Sequence, residues 1–199
     1  KKANLITKGW SKLRKVHKRG NGKEIIEKEK KSLHLNWVCE KKNGSFLEIG
    51  CFTGTPFTMT LAKEAGEYIG VDLSSVAVNI LRNKIDIANF SESVSILNTD
   101  FLLMDNNNKY DLIYAHAVLH HFSNYEILFK KINSLLKTDG VLIFSEPSAC
   151  NIFYKLIRFI YRPFQSDAKW EFPFSRKTVR SFYTYFKPID GFGWGRWSL

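Results

Sequence analysis

Residues 46–55 read FLEIGCFTGT: an apolar run carrying one acid, then a turn with glycines at positions 50 and 54 and a phenylalanine between them. Glycine adopts backbone angles closed to other residues and lets a ligand approach the chain, so a strand emptying into such a turn before a helix has the build of a nucleotide loop. Its G-x-x-x-G spacing is not G-x-G-x-x-G, and the Gly-Lys-Ser/Thr of a phosphate-cradling loop is absent. Phe52 stands where a middle glycine is expected. If that position needs positive φ, Phe52 is strained; if not, its ring is free to shield a ligand.

Downstream, short apolar runs alternate with helical stretches. Strands are expected at Ser45–Gly50, Tyr68–Asp72, Val94–Asn98, Tyr110–Ala115 and Gly140–Ser145, and helices at Pro56–Ala65, Ser74–Ala88 and Asn124–Leu136. Strands separated by helices of this length are βαβ units, which implies an α/β fold with a doubly wound, mostly parallel sheet. Ligands of such sheets bind at the carboxyl ends of the strands.

Three acids fall at those ends. Glu48 lies in the first strand, Asp72 closes the second and Asp100 follows the third. Asp72 suits the ribose hydroxyls of a nucleoside, and Asp100 with Phe101 offers an acceptor for an exocyclic amine beside a flat apolar face. Together they describe an adenosine site. A carboxylate at Glu48 disfavours a pyrophosphate and favours an ammonium or sulfonium cation, which leaves S-adenosyl-L-methionine among adenosine cofactors.

Four blocks in register, FLEIGCFTGT, YIGVDLSSVAV, LNTDF and YDLIYAHAVLHHF with LLKTDGVLIFSEP, resemble the class I S-adenosylmethionine-dependent methyltransferases, in particular the small-molecule branch. The resemblance covers residues 45–147. It implies a Rossmann-like sheet of order 3-2-1-4-5-7-6. It also implies that Gly50, Cys51 and Gly54 pass under the methionine part of the cofactor, with Phe52 in the same loop and Glu48 supporting loop and ammonium. Asp72 and Leu73 would hold ribose and one adenine face, Asp100 the amine and Phe101 the other face. Ala115 and His116 would lie near the methyl group. Only one candidate strand, around residues 189–197, follows the fifth, so the last strands look incomplete, or the chain is a fragment.

Methyl transfer to oxygen needs a base, and a histidine has the right ordinary pKa. AHAVLHHF supplies three. His116 is preferred because it follows the strand end; His120 and His121 sit in the turn beyond, where capping the next helix is the plainer role. No metal site is expected: three cysteines at wide spacing form neither a CxxC site nor a disulfide framework.

Charge divides the chain. Residues 1–42 carry 14 Lys and Arg against 4 acids, residues 43–150 carry 7 against 12, and residues 151–199 carry 9 against 3. Residues 1–44 are read as a basic N-terminal helical segment, with a helix over Lys23–Lys42, and residues 45–199 as the methyltransferase domain. Within it, residues 151–186 form a helical insert that serves as lid or substrate wall. Its aromatic and basic composition points to a small hydrophobic or amphiphilic acceptor methylated on O, N or C. Basic flanks also suit contact with an anionic membrane surface. With no 18-residue apolar run and no secretory signal, the reading is of a cytoplasmic, membrane-peripheral protein. Two alternatives stand beside it: an RNA methyltransferase using the basic flanks, disfavoured because AHAVLH replaces the Asn/Asp-Pro-Pro-Tyr/Phe motif, and a non-catalytic module prompted by Phe52.

Overall fold

Successive side chains of a strand point to opposite faces, and this alternation decides what meets what. Along β1 (Ser45–Ile49), Phe46 joins one buried cluster, while Leu47 and Ile49 join another. Along β4 (Tyr110–His116), Leu112 and Tyr114 lie with Phe46, while Ile113 and Ala115 lie with Leu47. Glu48, Tyr114 and His116 therefore share a face by parity. The structure is a computed structural model describing residues 21–90, 93–105, 107–150, 156, 159–160 and 170–191.

Among the described residues the sheet has five parallel strands in the order β3-β2-β1-β4-β5, where β2 is Glu67–Asp72, β3 Val94–Asn98 and β5 Leu136–Ser145. Helices α1 (Asn21–Cys39), α2 (Pro56–Glu64) and α3 (Ser75–Ile87) cover the Phe46 face through Val38, Leu61 and Leu81. Helix α4 (Tyr125–Leu135) covers the Leu47 face through Leu128, Phe129 and Ile132; Phe182 of α5 (Arg176–Tyr185) packs on that cluster. Each of α2 to α5 starts at a polar cap: Thr55, Ser74, Asn124 and Ser175 each accept from a backbone N–H of the first turn. The chain winds from β1 to β2 and β3, then returns to β4 on the other side of β1. The strand order reverses between β1 and β4, which places a crevice at their carboxyl ends.

Several expectations shift. The fifth strand starts at Leu136 rather than Gly140, with a register break opposite Tyr110 and Leu112. At Gly140 a Cβ would stand 2.7 Å from the Tyr110 carbonyl, so the chain folds back there too tightly for a side chain. Of the segment before residue 45, α1 packs on the sheet: Val38 is fully buried in the cluster of Phe46, Tyr68 and Leu112. Residues 1–20 of the basic N-terminal segment, most of residues 151–169 of the insert and most of the candidate strand over 189–197 lie outside the described residues. No helix among the described residues is long and apolar enough to cross a membrane.

Candidate active site

The loop after β1 is built on positive φ. Gly50 has φ +72°, Phe52 +47° and Gly54 +73°. A Cβ on Gly50 would stand 2.5 Å from Val118 Cγ2, so the first glycine is needed both for its angle and for the approach of the loop that follows β4. Asp72 clamps the turn: its Oδ2 accepts from Phe52 N at 3.0 Å and its Oδ1 from Ser74 N at 2.8 Å. A carboxylate has about four acceptor positions, so each oxygen keeps one free. Phe52 is 60% exposed and lines the crevice. Left-handed backbone costs a non-glycine residue about 1–2 kcal/mol. In Phe52→Gly that relief is offset by the greater freedom of an unfolded glycine, worth about 0.5–1 kcal/mol. The melting temperature should therefore move by only a few degrees, whereas affinity for S-adenosylhomocysteine should fall because the ring is lost; unchanged affinity by calorimetry would show that the ring covers nothing.

Glu48 lines the crevice, with its carboxylate bonded to the protein itself. It is 5% exposed; Thr58 Oγ1 donates to Oε1 at 3.0 Å and the Tyr68 hydroxyl to Oε2 at 2.5 Å. Its register partners are Gly70 and Tyr114, and Gly70, lacking a side chain, leaves room for the Tyr68 hydroxyl to reach across. Glu48 thus ties α2 and β2 to β1, and burial pushes its carboxyl up to about 7 against the two hydrogen bonds that oppose the shift. A raised acid favours the protonated native state. Its contribution is full below about pH 4.5 and is lost as pH rises to about 7, roughly 3 kcal/mol over that window. His34, lowered by burial to about 4, acts in the opposite direction, its contribution being lost as pH falls from 6.5. Urea unfolding of wild type minus Glu48→Gln isolates the first effect: the difference should shrink between pH 5 and pH 7.5. A flat difference would count against the buried-carboxyl assignment.

At the adenine end the picture divides. Leu73 is 71% exposed beside Asp72, and Asn98 Nδ2 fastens both carbonyls from below at 3.0 and 2.9 Å. Asp100 Oδ1 accepts from Leu102 N at 2.8 Å, and Oδ2 has no hydrogen-bond partner among the described residues. Phe101 corrects the expectation: it is 3% exposed, edge-on to Phe122 at 6.2 Å within the core. Its ring is committed to packing, and what it offers a ligand is backbone. The same holds for Cys51 and Ala115, whose buried side chains sit in the two core clusters.

The three histidines separate clearly. Glu146, whose side chain is 1% exposed, accepts from Val118 N at 2.9 Å and Leu119 N at 2.8 Å, and from His120 Nδ1 at 2.7 Å. His120 is thereby buried as a strut. His121 Nδ1 donates to the Trp170 carbonyl at 2.9 Å, and Phe172 N donates to the His120 carbonyl, so this turn docks the 170–172 segment. The His116 side chain has no hydrogen-bond partner among the described residues and lines the crevice, as His121 also does. Partial desolvation there, aided by the Lys30 ammonium, holds its imidazole below the usual range.

Among the described residues, the wall opposite is α1. The crevice holds about 590 Å³, and α1 contributes Glu27, Lys30, Lys31 and His34, one face at i, i+3, i+4 and i+7. None of Trp170, Phe172, Phe174 or Tyr183 lines it, and Phe174 is buried in the core. His34 is 3% exposed and bonded through Nδ1 to the Tyr114 hydroxyl at 3.0 Å, 80 residues away. Sequence reading missed both partners. Two signals were present: the helical spacing of residues 27, 30, 31 and 34, and the strand parity that sets Tyr114 and His116 beside Glu48.

Residues 23–186 match the family model described as a methyltransferase domain. The chain belongs to that family. Because the match begins at residue 23, α1 lies inside the methyltransferase domain, in keeping with its buried contacts. The chain is 26% identical over 153 residues to (S)-coclaurine N-methyltransferase of Papaver somniferum, covering 75% of this chain and 42% of that protein. It is 32% identical over 103 residues to malonyl-[acyl-carrier protein] O-methyltransferase of Priestia megaterium, covering 51% and 36%. The chain thus spans less than half the length of these curated relatives. N-methyltransferase NodS from Bradyrhizobium japonicum WM9, solved with S-adenosyl-L-homocysteine, superposes with TM-score 0.61 at 18% identity over 79% of this chain and 74% of that one, a likeness of fold. Among the described residues of this methyltransferase domain, no group of three or more His, Cys, Asp and Glu side chains is placed to hold a metal ion.

Proposed function

We propose that the chain binds S-adenosyl-L-methionine and transfers its methyl group to O, N or C of a small hydrophobic or amphiphilic acceptor, leaving S-adenosyl-L-homocysteine. The observation that carries the reading is Asp72, which fixes the positive-φ loop with one acceptor position per oxygen and keeps the other free for ribose hydroxyls. The residues present fit the cofactor: Gly50 gives a bare stretch of backbone in the crevice, Leu73 an exposed apolar face and Asp100 an acceptor. When bound, the cofactor supplies a methyl group on an already activated sulfonium. The chain's part is alignment and exclusion of water, between the loop after β1 on one side and α1 on the other. His116, neutral and unpartnered among the described residues, is the group placed to take a proton from an oxygen or nitrogen nucleophile.

Calorimetry with S-adenosylmethionine and S-adenosylhomocysteine tests the cofactor half, and heat accompanied by thermal stabilisation is expected. Neither heat nor stabilisation would defeat the enzyme reading and leave the non-catalytic module. A product screen with methyl-labelled cofactor finds the acceptor; His116→Ala should then lower turnover about a hundredfold with cofactor affinity kept.

A further inference from the structure

The α1 face of the crevice is polar where an amphipathic helix would present apolar residues to its domain. Lys30 is answered by Glu27 at 3.1 Å, whereas Lys31 has no partner among the described residues. Next on the same face, His34 is almost wholly buried, yet only one of its ring nitrogens is engaged among those residues. The buried Tyr114 phenol keeps its proton and stands 3.0 Å from His34 Nδ1; with the hydroxyl assigned as the donor of that bond, the imidazole proton lies on Nε2. A buried N–H without an acceptor is costly and marks a place for one. Neither carboxylate across the crevice is hydrogen-bonded to that N–H: the bonds of Glu48 go to Thr58 and Tyr68, and those of Asp72 to Phe52 N and Ser74 N. Beside His34 stand the rings of Phe57 and Tyr114, 5.0 Å apart, an apolar wall for a flat ligand body.

We propose that Lys31 and the Nε2–H of His34, with Lys30 behind them, form a carboxylate-binding subsite. Resting on the cofactor reading above, it takes the acidic group of a flat acceptor or the amino-acid carboxylate of the methyl donor itself. The shared chemistry is an ammonium and an N–H donor on one helix face, spaced three residues apart, meeting an anionic oxygen pair.

Two titrations of the full chain separate the sources. One compares S-adenosylhomocysteine with its analogue lacking the carboxylate. The other compares benzoate with benzylamine on protein saturated with S-adenosylhomocysteine. In one arm the carboxylate ligand should bind at least about tenfold tighter than its counterpart, and Lys31→Gln and His34→Asn should each reduce that preference to less than about threefold. Asparagine keeps an acceptor for the Tyr114 hydroxyl while removing the Nε2 donor, and Lys31→Gln changes an exposed position, so it decides the matter should the His34 variant not fold. Preference in the first arm assigns the carboxylate to the donor, and in the second to the acceptor. Equal binding in both arms, or a preference that neither substitution touches, overturns the subsite. If S-adenosylhomocysteine and its analogue both fail to bind, the cofactor reading falls, and benzoate against benzylamine on the free protein still tests the subsite.

Discussion

Asp72→Ala is expected to weaken S-adenosylhomocysteine binding about a hundredfold or more. Two contributions add. The carboxylate's free acceptor positions answer ribose hydroxyls, and hydrogen bonds to a charged group are worth about 1.5–3 kcal/mol each. Its occupied positions hold Phe52 N and Ser74 N, so alanine also releases the loop at its strained residue. Loss of roughly 3 kcal/mol in binding corresponds to about a hundredfold in Kd. Asp72→Asn provides a control: one of its two ends is an amide NH₂, which faces a backbone N–H donor whichever way it is turned, so the clamp on the loop is half lost. Calorimetry should rank wild type above Asp72→Asn, and Asp72→Asn above Asp72→Ala. Equal affinity for wild type and Asp72→Ala would refute the ribose placement, and with it the reading of the crevice as an adenosine site.

The fold was legible because its signals are local and periodic. Apolar runs of strand length, separated by helices with Thr55, Ser74 and Asn124 at their starts, specify βαβ winding from the chain alone. The places of Gly50 and Asp72 were legible for the same reason, since they sit at strand ends whose geometry is shared by any such sheet. What the sequence could not resolve was which side chains are spent on the protein itself. Glu48 and Phe101 fall where a ligand is expected from the strand ends, but their neighbours Tyr68, Thr58 and Phe122 engage their side chains, and those neighbours are 10 to 21 residues away. The α1 wall was hidden for a related reason. Its charged face reads as a solvated helix surface, and only the tertiary contact of His34 with Tyr114 turns that surface toward the crevice.

Glu146→Ala is the largest stability change foreseen. Its carboxylate, buried at the end of β5, gathers Val118 N, Leu119 N and His120 Nδ1. The residue before them, Ala117, has φ +53°, a left-handed angle that a non-glycine residue keeps only when its surroundings enforce it. Alanine leaves buried donors without an acceptor, and removing one partner from such a network costs about 3–5 kcal/mol. For a domain of this size 1 kcal/mol moves the melting temperature by about 2–4 °C, so a fall of roughly 6–20 °C is expected by calorimetry. Glu146→Gln keeps one carbonyl oxygen for Val118 and Leu119 and loses the charge toward His120, so its fall should be about half as large. The functional consequence follows from the same contacts. Val118 packs against Gly50 and His116 leads into this turn, so release should lower methyl transfer in proportion more than it lowers cofactor affinity, which rests chiefly on Asp72. A Glu146→Ala protein that melts with the wild type would mean that the turn is held by its own backbone, and that His116 owes its position to β4 alone.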